Sequence, residues 1–139
     1  MVLLIDANIL LDVLCNRQEF VKESSLVWKM CETKQAKGYV STLTIANLVY
    51  IMRKELDAKK IEEVIARLRM IFEFTELSVT DILIASKMEW EDYEDAIQTV
   101  TAQRIHANHI ITRNVKDFVD STITALSPKE FLSISNNGS

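Results

Sequence analysis

The sequence predicts an α/β fold in which a parallel sheet is covered by helices. Short, wholly apolar runs alternate along the chain with segments of helical period, which is the pattern of strand–helix–strand units. Those runs lack the every-second-residue polarity of a half-solvated sheet, so both faces of the sheet must be buried. The length of 139 residues suits one domain with a core of its own. Residues 1–134 are expected to form that domain and 135–139 a polar, disordered tail.

Val2 to Ile5 is the first apolar run, and it stops at Asp6. Asn8 can cap or steady the turn into a helix over Ile9 to Leu14. Apolar residues at 20, 27, 28, 30 and 31 give helical spacing from Phe20 to Lys34, with a charged opposite face. Gly38 is expected to stop that helix, and GYVST reads as the second strand. Thr44 to Leu56 is apolar around most of its circumference, which predicts a centrally packed helix. Ile61, Val64, Ile65, Leu68, Ile71 and Phe72 mark the next helix.

Phe74 to Leu77 is the third predicted strand, and Ser78 or Thr80 can cap a helix over Asp81 to Met88. A further helix is expected over Glu94 to Ala107, then a short buried strand at HIIT. A turn at NVKDF, an edge strand near Ile123 to Leu126 and a helix opened by Pro128 complete the chain. The sheet therefore has four to five strands. In open sheets of this kind sites form at the carboxyl ends of strands, where Asp6 and the Thr112–Asp117 turn both fall.

Composition narrows the function. Glycine occurs only at 38 and 138, so no Walker-A loop, GxGxxG fingerprint or glycine-built phosphate cradle can be written. Cys15 and Cys31 suggest neither a metal pair nor a disulfide, and both read as core residues in a reducing compartment. The N-terminus has acids at 6 and 12 and no basic leader, which argues against a signal peptide. No uncharged run reaches the roughly eighteen residues of a membrane span. A cytoplasmic protein is expected. The net charge of −4 offers no bulk electrostatic grip on nucleic acid.

Three acids stand where apolar strands or helix starts end. Asp6 closes VLLI, Asp95 lies in the first turn of a helix with Asp92 one turn earlier, and Asp117 follows HIITRN. Each has an ordinary explanation: Asp6 as a helix cap, Asp95 as a complement to the helix dipole, Asp117 as a turn acid. Gathered at one rim, they repel unless a cation neutralises them. Oxygen donors of this kind suit Mg²⁺ or Mn²⁺.

MVLLIDANILLDVL, GYVSTLTIANLVYIMRK, DYEDAIQTVTA and IITRNVKDF, in that order, resemble the bacterial PIN-domain family. The likeness is to the VapC-like toxin nucleases of toxin–antitoxin modules and spans residues 2 to about 132. It implies an α/β/α sandwich around a central parallel sheet and endoribonuclease activity dependent on Mg²⁺ or Mn²⁺. An antitoxin partner and a homodimer are further implications. By position, Asp6 and Asp95 match family metal ligands, and Asn114 and Asp117 match the last site. Where the family carries a glutamate in the helix after the second strand, this chain has Asn47. An amide can coordinate or orient water but brings no charge, so one weaker metal site is favoured over two. Asp92 is the nearest acid expected to compensate.

Thr112 and Ser41 are candidate donors to a phosphate, though local turn-stabilising roles fit them better. Arg113 and Lys116 are the leading candidates for RNA contact, with Arg17, Arg53 and Lys54 behind them. His106 and His109 lack any zinc-motif context, and Trp28 and Trp90 read as packing residues. The competing function is a PIN-fold binding module without catalysis, which Asn47 favours. A haloacid-dehalogenase-type phosphatase wants an acid two residues after the first aspartate, where this chain has Asn8.

Overall fold

The computed structural model describes residues 1–137. Five strands, β1 (Val2–Ile5), β2 (Lys37–Ser41), β3 (Glu73–Thr75), β4 (His109–Ile111) and β5 (Ala125–Leu126), form one parallel sheet in the order β3-β2-β1-β4-β5. The helices are α1 (Ala7–Leu14), α2 (Val21–Glu32), α3 (Thr42–Met52), α4 (Ala58–Ile71), α5 (Val79–Met88), α6 (Tyr93–Arg104) and α7 (Pro128–Asn137). A 3₁₀ turn over Val115–Phe118 follows β4. The predicted helix-covered parallel sheet is what forms.

The two-residue period of the strands divides the core. Leu3, Ile5, Val40, Ile111 and Leu126 pack on one face with α1, α2, α3, α4 and Phe131 of α7. Leu4, Ile110 and Ala125 pack on the other with Ala102 of α6 and Phe118. Strand order reverses at β1: the chain moves outward to β2 and β3, then returns to β4 beside β1 in register Ile5↔Ile111. This switch point opens a crevice at the carboxyl ends of β1 and β4.

Several sequence expectations are corrected. Helix α2 ends at Glu32, is capped at Thr33 and turns at Lys34 (φ 65°), while Gly38 lies within β2. A Cβ on Gly38 would stand 2.7 Å from Cys31 Sγ and 2.9 Å from the Phe72 ring, so this glycine permits close helix–strand approach. Cys15, expected in the core, is exposed at the end of α1, and only Cys31 is buried. Asn8 does not cap α1; Asp6 does, accepting from the Ala7 N–H at 2.9 Å. Helix α3 is not centrally packed, since it buries Thr44, Leu48 and Met52 and leaves Tyr50 and Ile51 exposed. Residues 135–137 of the expected tail continue α7, and 138–139 lie outside the described residues. No helix among the described residues is long and apolar enough to cross a membrane.

Candidate metal centre

Asp6 stands where β1 ends, and its backbone N–H donates to the Ile111 carbonyl of β4 at 3.0 Å. Its carboxylate is held from three sides. Oδ1 accepts from the Ala7 N–H and, at 3.5 Å, from Gln98 Nε2; Oδ2 accepts from Thr112 Oγ1 at 2.8 Å. Burial pushes the Asp6 carboxyl above the usual range, and Asp92 adds to this, against the opposing hydrogen bonds of Thr112, Ala7 and Gln98.

Helix α6 brings the next acids. Asp92 is its N-cap and accepts from the Asp95 N–H at 3.1 Å. Asp95 follows in the first turn. Its carboxyl is pushed up to about 7, first by burial and then by the charges of Asp92, Asp6 and Asp117. Carboxylates coupled in this way share one rim. Asp92, Asp95, Lys116, Asp117 and Asp120 line one open groove beside it, with Trp90 in its wall.

The 3₁₀ turn after β4 carries the last site. Asp117 is exposed there, and its N–H donates to the Asn114 carbonyl at 3.0 Å. Asn114 is exposed too, at the N-cap of the turn, and its side chain makes no capping bond. Asn47 lies on α3 and reaches α6, its Nδ2 donating to Glu94 Oε2 at 3.3 Å. The acid hydrogen-bonded to Asn47 is Glu94, while Asp92 caps α6 one turn before Asp95. Gln98 also escaped the sequence reading, although its spacing of i+3 from Asp95 on one helix was the available signal.

Two candidate phosphate donors are committed elsewhere. Thr112 is fully buried, with its hydroxyl donated to Asp6 and its oxygen accepting from the Asn114 N–H at 3.0 Å. Ser41 caps α3, accepting from the Thr44 N–H at 3.1 Å. Arg113, the leading RNA-contact candidate, donates from Nε to Asp12 Oδ2 at 3.0 Å and lies 3.9 Å from the Phe20 ring centroid. Asp12 is fully buried and also accepts from Ser24 at 2.8 Å, with Arg17 at 3.6 Å. Arg113 and Arg17 are thus members of a structural ion cluster. Lys116 alone of the candidate bases lines the acidic groove. Arg53 and Lys54 lie exposed after α3, and Lys54 is over the Tyr50 ring.

Among the described residues no three His, Cys, Asp or Glu side chains form a ready-made metal cage. Zinc takes a closed set of protein ligands in structural sites and three in catalytic ones. Mg²⁺ takes one or two carboxylates and completes its shell with water and phosphate oxygens. The oriented Asp6 and the repulsion focused on Asp95 fit that second demand.

Residues 2–116 match the family model described as PIN domain. The chain belongs to the PIN-domain family. Among solved structures, this PIN chain resembles a toxin–antitoxin complex from Klebsiella pneumoniae at 25% identity and TM-score 0.65, covering 90% of this chain and 96% of the other. It also resembles FitAcB from Neisseria gonorrhoeae, at 19% identity and TM-score 0.69, over 93% and 99% of the two chains. VapBC2 from Rickettsia felis, solved with a promoter DNA fragment, matches at 15% identity and TM-score 0.69 over 91% and 98%. These last two likenesses speak to the fold alone. No curated protein is similar enough in sequence to match.

Proposed function

We propose that this PIN domain is a Mg²⁺- or Mn²⁺-dependent endoribonuclease and the toxin of a toxin–antitoxin pair. The observation that carries the reading is the acidic rim at the end of β1, where the charges of Asp92, Asp6 and Asp117 all act on the Asp95 carboxyl. The family match and the likeness to the Klebsiella pneumoniae toxin–antitoxin complex support it.

Asp6 and Asp95 would hold the cation, and Asp117 would bind it directly or through water with Asn114 shaping the loop. Thr112 and Gln98 hold one Asp6 oxygen each, so that carboxylate is oriented before a cation arrives. The Asp95 carboxyl is pushed up to about 7 without a cation, so loading at neutral pH would displace the proton that part of the population still carries. Lys116, which lines the groove, would meet an RNA phosphate. When bound, the cation supplies an activated water and stabilises charge developing at phosphorus.

The test is incubation of a total RNA pool with Mn²⁺, with fragment ends mapped. Asp6→Asn and Asp95→Asn should each lower cleavage by about a thousandfold, the several kcal/mol that a metal contributes. Fragments identical in rate and position across all three proteins would sink the reading. The alternative, a PIN-fold module acting through partners, draws on the neutral Asn47. It predicts no Mn²⁺-induced rise in melting temperature for the wild-type protein.

A further inference from the structure

Helices α3 and α6 meet along a polar seam that ends at Asp6. Gln98 and Glu94 are one turn apart on α6, and both reach α3. Gln98 Nε2 donates to Thr44 Oγ1 at 3.3 Å, and Glu94 Oε2 accepts from Asn47 Nδ2 at 3.3 Å. Thr44 and Asn47 are likewise one turn apart on α3, so the two contacts are successive rungs of an antiparallel pairing. Gln98 also touches Asp6 Oδ1, which places the first rung at the candidate centre. Gln98 is 4% exposed, and its buried Oε1 has no partner among the described residues. A buried amide oxygen in that state calls for a water or another donor at the seam. Glu94 also lines the groove that Asp95 and Asp117 line.

Resting on the proposed metal-dependent function, we infer that Glu94 supplies the acidic group on the α3 side of the cation, with Asn47 as its positioning residue. The neutral side chain on α3 thereby holds a charge delivered from α6. An amide suits this part because its N–H₂ donates to a carboxylate, whereas a glutamate at 47 would repel Glu94. Charge is conserved across the seam while its helix of origin changes.

Mn²⁺ binding, followed by loss of the free-ion paramagnetic signal, separates the possibilities. The proteins compared are wild type, Asp6→Asn, Glu94→Gln and the double variant Glu94→Gln/Asn47→Glu. Asp6→Asn should abolish binding and Glu94→Gln should weaken it about tenfold. The double variant should recover most of that loss, since a carboxylate returns from the opposite side of the seam. Melting temperature in EDTA should be unchanged in Glu94→Gln, because Glu94 is exposed and its loss leaves no buried orphan. Wild-type affinity in Glu94→Gln, with binding abolished in Asp6→Asn, would overturn the role of Glu94 and leave the nuclease reading standing. Failure of the double variant to recover affinity, or a fall in metal-free stability matching the affinity loss, would also overturn it. If wild type itself takes up no Mn²⁺, both the inference and the reading beneath it fall.

Discussion

Asp12 has no exposed surface, yet it carries a charge that three side chains share. Arg113 and Ser24 satisfy Oδ2, and Arg17 approaches Oδ1, which has no hydrogen bond among the described residues. Removing Arg113 would leave that carboxylate buried with one distant cation. Arg113→Ala should therefore cost about 3 kcal/mol of stability, read from chemical denaturation, while Arg113→Lys should keep part of it. A loss of RNA affinity with no loss of stability would reverse the assignment and return Arg113 to the substrate. The sequence could not make this distinction, because Asp12 and Arg113 are 101 residues apart and Arg113 sits close in sequence to the acid Asp117. Asp6 was legible for the opposite reason: a charge that ends a wholly apolar strand declares its position without any partner being known. Glu94 and Gln98 were not, since their meaning depends on which helix faces them.

Helix ends show how a chain with two glycines breaks its helices. Asn16, Lys34, Glu89 and His106 take φ between 49° and 65°, in the left-handed region, after α1, α2, α5 and α6. Glycine would do this without steric cost; each of these residues gives up about 1 kcal/mol. That is why Gly38 was misread as a stop, although helix and strand order was recovered from periodicity throughout. The N-terminus of α6 is costly in a different way. In the metal-free protein Asp95 holds its proton up to about pH 7, whereas in the unfolded chain it releases it near the ordinary value of 3.8. Between those values the folded state binds more protons, so stability falls as pH rises toward 7. Melting curves in EDTA from pH 4 to 8 should show this decline, and Asp95→Asn should flatten it. A wild-type profile as flat as the variant's would mean that the acidic rim is relieved in some other way. Mn²⁺ should oppose the decline most strongly above pH 7, where the ligand is ionised.

At the scale of the molecule, α5 faces the wrong way for a surface helix. Its buried residues are Asp81 and Ala85, and Asp81 is gripped by Arg104 of α6 through Nε at 3.1 Å to both oxygens. Burial alone would raise the Asp81 carboxyl, but Arg104 and the Ser78 capping bonds hold it below the usual range. A polar clamp thus fastens α5 to the body, and its apolar residues point outward. Val79 is 74% exposed and Leu83 57%, with Ile82 and Ile84 also exposed. Helix α3, whose Leu43 packs into the same Ala85–Ile97 cluster, leaves Tyr50 70% exposed. Apolar side chains repeated at three- and four-residue spacing on an outward face are what an interface requires. A second copy is the proposed occupant, because a two-fold contact lets one patch cover itself. The protein should then sediment as a dimer at micromolar concentration, and Leu83→Asp should release monomers with an unchanged melting temperature in dilute solution. Since α5 is fixed by Asp81 and Arg104 and not by Leu83, the monomer should keep its fold and its Mn²⁺ response. A wild-type protein that sediments as a monomer, or a Leu83→Asp variant that stays dimeric, would remove this face from the assembly.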